Sequence, residues 1–322
     1  MLPPSVPSRS SLAIIAAALS TVALAGSAPA AVAGVPSVKL PGGVEMPMIA
    51  FGTAKTSLAA CSVDEAVELW LRAGGRHVDT ADDYGTQPDV GRALQSAGVP
   101  RSELFITTKI PGPIGKEAVK EKILHTALPQ LGVEYIDLVL IHFPCRGMDQ
   151  KVAPPCGATA AAERRDTWAG LAELRAAGRI RAVGVSNYND AQVQEIVSAF
   201  QEAPAVNQVE FHLAYHNETL LSAMREAGTT LEAWASLGGP TVHGRTPTIP
   251  LGDARLKAVA GRYNASTAQV ALRWETQKGV VPVTATCSKE HAEGDLASFG
   301  LQLSDADMVL LDTLAPEERI IV

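Results

Sequence analysis

From Met48 onward, short apolar runs alternate with longer stretches whose apolar positions recur every three to four residues. The short runs begin near Met48, His77, Leu104, Ile136, Arg181, Val206, Thr230 and Val280. Short continuous apolar runs of this kind read as buried strands. Between them, Val63, Val67 and Trp70 line one helical face, and Val90, Ala93, Leu94 and Ala97 line another. Val193, Ile196, Val197 and Phe200 repeat at i, i+3, i+4 and i+7 behind the cap candidates Asn189 and Asp190. Gly98, Gly132, Gly178 and Gly228 sit where helices should stop. Strand–helix alternation implies parallel strands joined by right-handed crossovers. Eight such units predict an α/β fold of the (β/α)8 TIM-barrel type. The competing doubly wound sheet would carry a Gly-x-Gly-x-x-Gly turn after its first strand, and none is present there.

Three stretches depart from the alternation. Ser37 to Pro47 holds Gly42-Gly43 between two short apolar runs, which reads as a β-hairpin. A long polar insertion runs from His142 to Trp168, and a Gly-, Pro- and Thr-rich one from Trp234 to near Asp253. Loops of that length in a compact domain are usually lids or binding loops. Both follow strands, so both should overhang the C-terminal mouth of the barrel.

Residues 1–30 have a different character. Arg9 precedes an apolar run from Leu12 to Ala25, and small residues follow from Gly26 to Ala31. A basic start, a short apolar core and an Ala-x-Ala-like site make a targeting signal. The run is short for a membrane-spanning helix. The expectation is therefore a signal that is removed, and one barrel domain over residues 31–322 with no stable membrane insertion. Entry into the secretory pathway is expected, with a plastid route giving a similar signal. A cytoplasmic enzyme with a disordered Ala-rich tail is the alternative. Composition adds little: 47% apolar, 19% charged, net charge −7. The acidic balance and scarce aromatics give no support for nucleic-acid binding.

Three strand ends carry candidate chemistry. Asp79 ends one apolar run, and Tyr84 follows five residues later. Lys109 ends another run, and His142 a third. Taken alone, Asp79 is an ordinary turn former and Tyr84 an ordinary packing residue. A lysine at the end of an apolar strand is different, because half-burying its charge costs free energy unless a carboxylate pairs with it. Asp79 is the candidate partner. In a parallel barrel the C-terminal strand ends converge on one mouth, so Asp79, Tyr84, Lys109 and His142 can share one site.

This set resembles the aldo-keto reductase family. The matching stretches are Asp-Thr-Ala-x-x-Tyr-Gly at Asp79 to Gly85, Ile-Thr-Thr-Lys at Ile106 to Lys109 and Leu-Ile-His at Leu140 to His142. Further matches are Gly184 to Asn187, Asn207 to Glu210 and Ala233 to Gly238. The resemblance runs from about Val38 to about Leu314. It implies reversible hydride transfer between a nicotinamide cofactor and a small-molecule carbonyl substrate, with the hairpin plugging the barrel floor. Tyr84 would be the general acid, Lys109 would stabilise its phenolate, and Asp79 would hold Lys109. His142 would hydrogen-bond the carbonyl oxygen. A unit charge at ~4 Å and an effective dielectric of ~20 is worth roughly 4 kcal/mol. Lys109 is thus expected to lower the Tyr84 pKa by up to about 3, before burial takes some back.

The resemblance also implies a cofactor set. Ser186, Asn187 and Gln208 would hold the nicotinamide carboxamide, and Trp234 would stack on the ring. The backbone of Ala235, Ser236 and Leu237 would line the pyrophosphate, with Gly52 and Thr53 at its border. Many members carry Pro-Lys-Ser where this chain has Pro282-Val283-Thr284, and that lysine contacts the phosphate on the adenosine ribose. With Val283 in its place, Thr284, Ser288, Lys289 and His291 become the phosphate candidates. NADPH is expected over NADH, and a monomer is expected.

No Cys-x-x-Cys or His/Cys cluster suggests a metal. Cys145 and Cys156 bracket a Pro-rich loop, and a bridge between them would be worth up to roughly 3 kcal/mol. Four unrelated thiols are the alternative. Asn217 and Asn264 open glycosylation sequons. Little chain follows Leu314, which predicts an open pocket, and His142 flanked by Phe143 and Trp168 suggests aldehydes or small ketones. The rival from another class is a cofactor-binding redox sensor or regulatory subunit with little turnover.

Overall fold

The computed structural model describes Met1 and residues 34–145, 156–238 and 251–315. Apart from Met1, the expected targeting segment lies outside the described residues, as do the central parts of the two long insertions.

Two strands, β1 (Ser37–Lys39) and β2 (Glu45–Pro47), form the expected antiparallel hairpin, with Val38 opposite Met46. Eight further strands close into a parallel barrel: β3 (Ala50–Gly52), β4 (His77–Asp79), β5 (Phe105–Ile110), β6 (Ile136–Ile141), β7 (Ile180–Ser186), β8 (Val206–Glu210), β9 (Thr230–Trp234) and β10 (Val281–Thr284). Neighbours follow chain order, and β10 pairs with β3 to close the ring. All eight expected strands are present.

Alternation along each strand sorts the side chains into two cores. On β6, Leu138 and Leu140 point inward to a small cluster with Phe105, Ala182, Val206 and Val281. Leu40, Val44 and Met46 of the hairpin join that cluster and seal the floor. Ile136, Val139 and Ile141 face the larger core beneath the helices. The Val63–Arg72 helix starts at a Ser62–Glu65 capping box and buries Val63, Val67 and Trp70 as its periodicity required. Trp70 stacks on Phe51 of β3 and donates to the His77 carbonyl at 3.2 Å. Of the two cap candidates at 189 and 190, Asn189 caps the Asp190–Phe200 helix. Gly132 and Gly228 end their helices in the left-handed region, where only glycine is unstrained. Trp168 is buried against Phe200 in the helical layer, so it serves the core and is not the expected flank of His142. Among the described residues no helix is long and apolar enough to cross a membrane.

The barrel wall is tightest where β6, β7 and β8 meet. A Cβ at Gly184 would lie 2.6 Å from the Val206 carbonyl oxygen and 2.6 Å from Leu140 Cδ2. Gly184→Ala should therefore cost about 1–3 kcal/mol of stability as an overpacking change. Thermal unfolding of the variant checks this, and an unchanged midpoint would show that the wall yields.

Candidate active site

Barrel closure brings Asp79 of β4, Lys109 of β5, Gln208 of β8 and Glu232 of β9 into one buried cluster. Lys109 is fully buried. Its Nζ donates to Asp79 Oδ1 at 2.5 Å, to the Thr80 carbonyl at 3.2 Å and to Tyr84 Oη at 3.4 Å. The other Asp79 oxygen accepts from Gln208 Nε2 at 2.9 Å, and the same nitrogen reaches Glu232 Oε2 at 2.7 Å. Burial opposes the Lys109 charge, but Asp79, Tyr84 and Glu232 together outweigh it and hold the lysine above its ordinary pKa.

Tyr84 comes from a short turn, Asp82–Tyr84, that follows β4 and ends at left-handed Gly85. Its pKa moves against expectation. Crowding around the hydroxyl is the larger effect, Asp79 and Asp83 add to it, and Lys109 offsets only part, so the phenol is pushed up to about 12. Tyr84 is therefore a protonated acid at neutral pH.

His142 is 3% exposed, stacks on Phe143 and meets the Tyr84 ring edge-on at 5.7 Å. Its Nδ1 lies 3.1 Å from Asp83 Oδ1. Burial would raise Asp83, but the hydrogen bond and charge of His142 outweigh it and hold the carboxyl below its usual range. An ionised carboxylate only accepts, so Nδ1 carries the proton. Burial also draws His142 below its ordinary pKa. In the neutral ring Nε2 is then an acceptor. The expected donation from His142 to a carbonyl oxygen requires the imidazolium, with Asp83 as counter-ion. Sequence reading missed Asp83, although a turn that delivers Tyr84 to the mouth carries its neighbour there too.

Around this cluster the strand ends are tied mostly side chain to backbone. Asn187 Nδ2 donates to the His142 carbonyl at 3.0 Å, and its Oδ1 accepts from Trp234 Nε1 at 3.0 Å. Asn187 and Ala235 both have positive φ, 61° and 59°. Strained backbone just past the ends of β7 and β9 is typical of a functional mouth. Ser186 Oγ donates to the Gln208 carbonyl at 2.7 Å. Ser236 is buried, donates to the Ala233 carbonyl and accepts from Val283 N. Thr53 turns its hydroxyl to the Asp79 carbonyl at 3.0 Å, so it braces the site from behind. Gly52 lies at the β3 end, where a Cβ would meet Val283 Cγ1 at 2.9 Å. Leu237 packs against the outer core.

The four phosphate candidates sit together at the β10–helix turn, but not as equals. Thr284 is 4% exposed and donates to Asp295 Oδ2 at 2.8 Å, so its hydroxyl is already committed. Burial pushes Asp295 up to about 6, with the Thr284 bond working against it. Ser288 caps the Lys289–Ala297 helix by accepting from His291 N. Lys289 and His291 are exposed on its first turn, with Lys289 facing Glu293 at 3.4 Å. All four cysteines are paired: the expected Cys145–Cys156 bridge forms, and Cys61 joins Cys287.

Known proteins are similar to this chain in sequence and fold. The sequence model of the aldo/keto reductase family matches residues 48–316. Glyoxal reductase of Bacillus subtilis is 33% identical over 88% of this chain and 94% of its own. Morphine 6-dehydrogenase of Pseudomonas putida is 31% identical over 88% and 93%. A Bombyx mori aldo-keto reductase crystallised in complex with NADP superposes with a TM-score of 0.79 at 29% identity, covering 89% of this chain and 95% of that one. The chain belongs to the aldo/keto reductase family of oxidoreductases.

Glu232 is the residue whose role was least visible in sequence. It is fully buried, and burial followed by the nearby Asp79 charge raises its pKa. Its Oε1 has no hydrogen-bond partner, with His77 Nε2 3.8 Å away. In the unfolded chain the group ionises near 4.5. Above that pH the folded state binds the extra proton, so Glu232 removes stability as pH rises. Glu232→Gln keeps an acceptor for Gln208 and cannot ionise. Its stability relative to the parent should improve steadily from pH 4.5 to pH 8 in denaturant unfolding. A difference that stays flat over that range would mean Glu232 ionises normally.

Proposed function

We propose that the chain reduces small aldehydes and ketones to alcohols with NADPH, using Tyr84 as the general acid. The observation that carries this reading is the Asp79–Lys109–Tyr84 chain, a proton donor backed by a buried cation at a barrel mouth. The residues present fit a nicotinamide dinucleotide. Trp234 offers an aromatic face pinned by Asn187, and Gln208 spends its amide nitrogen on two carboxylates, leaving its carbonyl oxygen to accept from a carboxamide. The phosphate candidates crown the N-terminus of the Lys289–Ala297 helix, where backbone N–H groups favour an anion. The NADP bound by the silkworm relative supports the same cofactor, and the glyoxal reductase relative supports an aldehyde.

Held by Trp234, Asn187 and Gln208, NADPH would supply a hydride for the carbonyl carbon. As negative charge grows on the carbonyl oxygen, Tyr84 Oη transfers its proton to it. Lys109 stabilises the phenolate so formed, and Asp79 keeps Lys109 charged and in place. His142, its Nδ1–H held by Asp83, stands edge-on to Tyr84 and confines where the carbonyl oxygen can lie. Phe143 stacks behind the imidazole and limits its rotation.

Tyr84→Phe should lower the reduction rate about 10²–10⁴-fold while NADPH still quenches protein fluorescence normally. Full turnover in that variant would remove Tyr84 from its role. Binding without turnover in the parent protein would favour the redox-sensor reading. Because Tyr84 is held near 12, its own titration should not limit reduction between pH 6 and 9.

We also propose that residues 1–30 direct the chain out of the cytosol, most simply into the secretory pathway. Full pairing of four cysteines supports this, since disulfides persist in oxidising compartments. The N-terminus of protein recovered from cells tests it. A terminus near residue 31 is expected, and an intact Met1 in the cytosol would overturn the reading.

A further inference from the structure

The Cys61–Cys287 bridge joins two residues 226 positions apart whose Cα atoms lie 5.8 Å apart. Its location is specific. Cys61 immediately precedes Ser62, the cap of the Val63–Arg72 helix, and Cys287 immediately precedes Ser288, the cap of the Lys289–Ala297 helix. These are the helices that follow the first and last barrel strands. The bridge therefore spans the seam where β10 meets β3, a junction held by only the pairs Val283–Ala50 and Thr284–Phe51. Both cysteines are half-buried. They border a groove of about 650 Å³ that also includes Glu65, Glu68, Arg72 and Lys289. A reductant thus has a way in from the outside of the barrel. The phosphate candidates Ser288 and Lys289 directly follow Cys287 in the chain, and Lys289 lines the same groove.

We propose that Cys61–Cys287 is a thiol–disulfide exchange site for a dithiol reductant, and that it sets the affinity of the adjoining loop for the cofactor's ribose phosphate. This rests on the cofactor reading above. In the exchange, one thiolate of the dithiol attacks a bridge sulfur and forms a mixed disulfide. The second thiol resolves it. The reductant leaves as a disulfide, and Cys61 and Cys287 remain as two thiols. Once the bridge is open, the Ala285–Ser288 turn keeps the packing of Ala285 and hydrogen bonds such as Ser288 N to Thr286 Oγ1 at 3.0 Å, but loses its covalent tie to the first helix. Binding a phosphate must then order backbone that the bridge had already ordered.

The test uses the C145A/C156A variant, which leaves this one bridge, with and without dithiothreitol. Thiol alkylation and mass spectrometry report the state of Cys61 and Cys287, and fluorescence titration reports affinity. Reduction should raise the NADPH dissociation constant about tenfold, the equivalent of ordering roughly one more backbone residue on binding. NADH, which lacks the ribose phosphate, should change less than about twofold on the same scale. Reoxidation should restore the first value. The C61A/C287A variant, where it folds, should match the reduced protein and ignore dithiothreitol. Equal NADPH affinity in the two redox states, or equal shifts for both cofactors, would overturn the proposal while leaving the reductase reading intact. A bridge that dithiothreitol fails to open in the folded protein would overturn it too. If neither cofactor binds in either state, the cofactor reading fails and this inference falls with it.

Discussion

Everything at the barrel mouth depends on one buried ion pair. Lys109 is fully enclosed, and its charge is tolerable only because Asp79 stands 2.5 Å away. A buried pair recovers its desolvation cost only when the remaining donors and acceptors are also satisfied. Here the lysine finds the Thr80 carbonyl and Tyr84, and the carboxylate finds Gln208. Those partners come from different strands, with Gln208 129 residues beyond Asp79. The site is thus a consequence of barrel closure and cannot exist in any fragment of it. Thr53, which braces the Asp79 carbonyl, extends the dependence to the first strand.

That pair also dictates the protonation of its neighbours. The cluster holds one cation and one anion, so it is near neutrality before any other acid titrates. A second carboxylate charge at Glu232 would face Asp79 with no cation of its own, and a phenolate at Tyr84 would sit in crowded, poorly solvated surroundings. Both groups accordingly stay protonated at neutral pH. A site built this way is set to donate a proton when charge develops on a substrate oxygen.

The strands, the hairpin and the helix caps were readable because each is a local pattern. Apolar runs beginning near eight named positions became eight strands, and glycines placed at helix ends took left-handed conformations. Strand ends in a parallel barrel must converge, so the Asp79–Lys109–Tyr84 grouping was readable too. What escaped were quantities fixed only in three dimensions. The sign of the Tyr84 shift turns on desolvation, which sequence does not measure. Glu232 in Thr-Leu-Glu-Ala-Trp lies inside only because Leu231 and Ala233 face the outer core. Trp168 follows a long insertion, and nothing local told that it packs against Phe200. Pairing of Cys61 with Cys287 depends on barrel closure, since four cysteines allow three connectivities.

The closing seam shapes the turn that follows β10. Gly52 and Val283 are fitted to each other, the glycine making room for a branched side chain that lies across the junction. A valine there seals the seam with apolar matter and presents no charge to the mouth. Thr284 next to it turns away from the mouth to Asp295 on the following helix. Neither residue of the strand end is left to meet a phosphate, so in the proposed reading that duty passes to the first turn of the following helix, to Ser288, Lys289 and the helix N-terminus. A strand end is positioned by its neighbours in the barrel. A helix start is positioned by whatever ties it down, and here the tie is the bond between Cys61 and Cys287. In that reading, moving the phosphate contact from strand to helix would transfer control of cofactor affinity from the barrel wall to a covalent link across its seam.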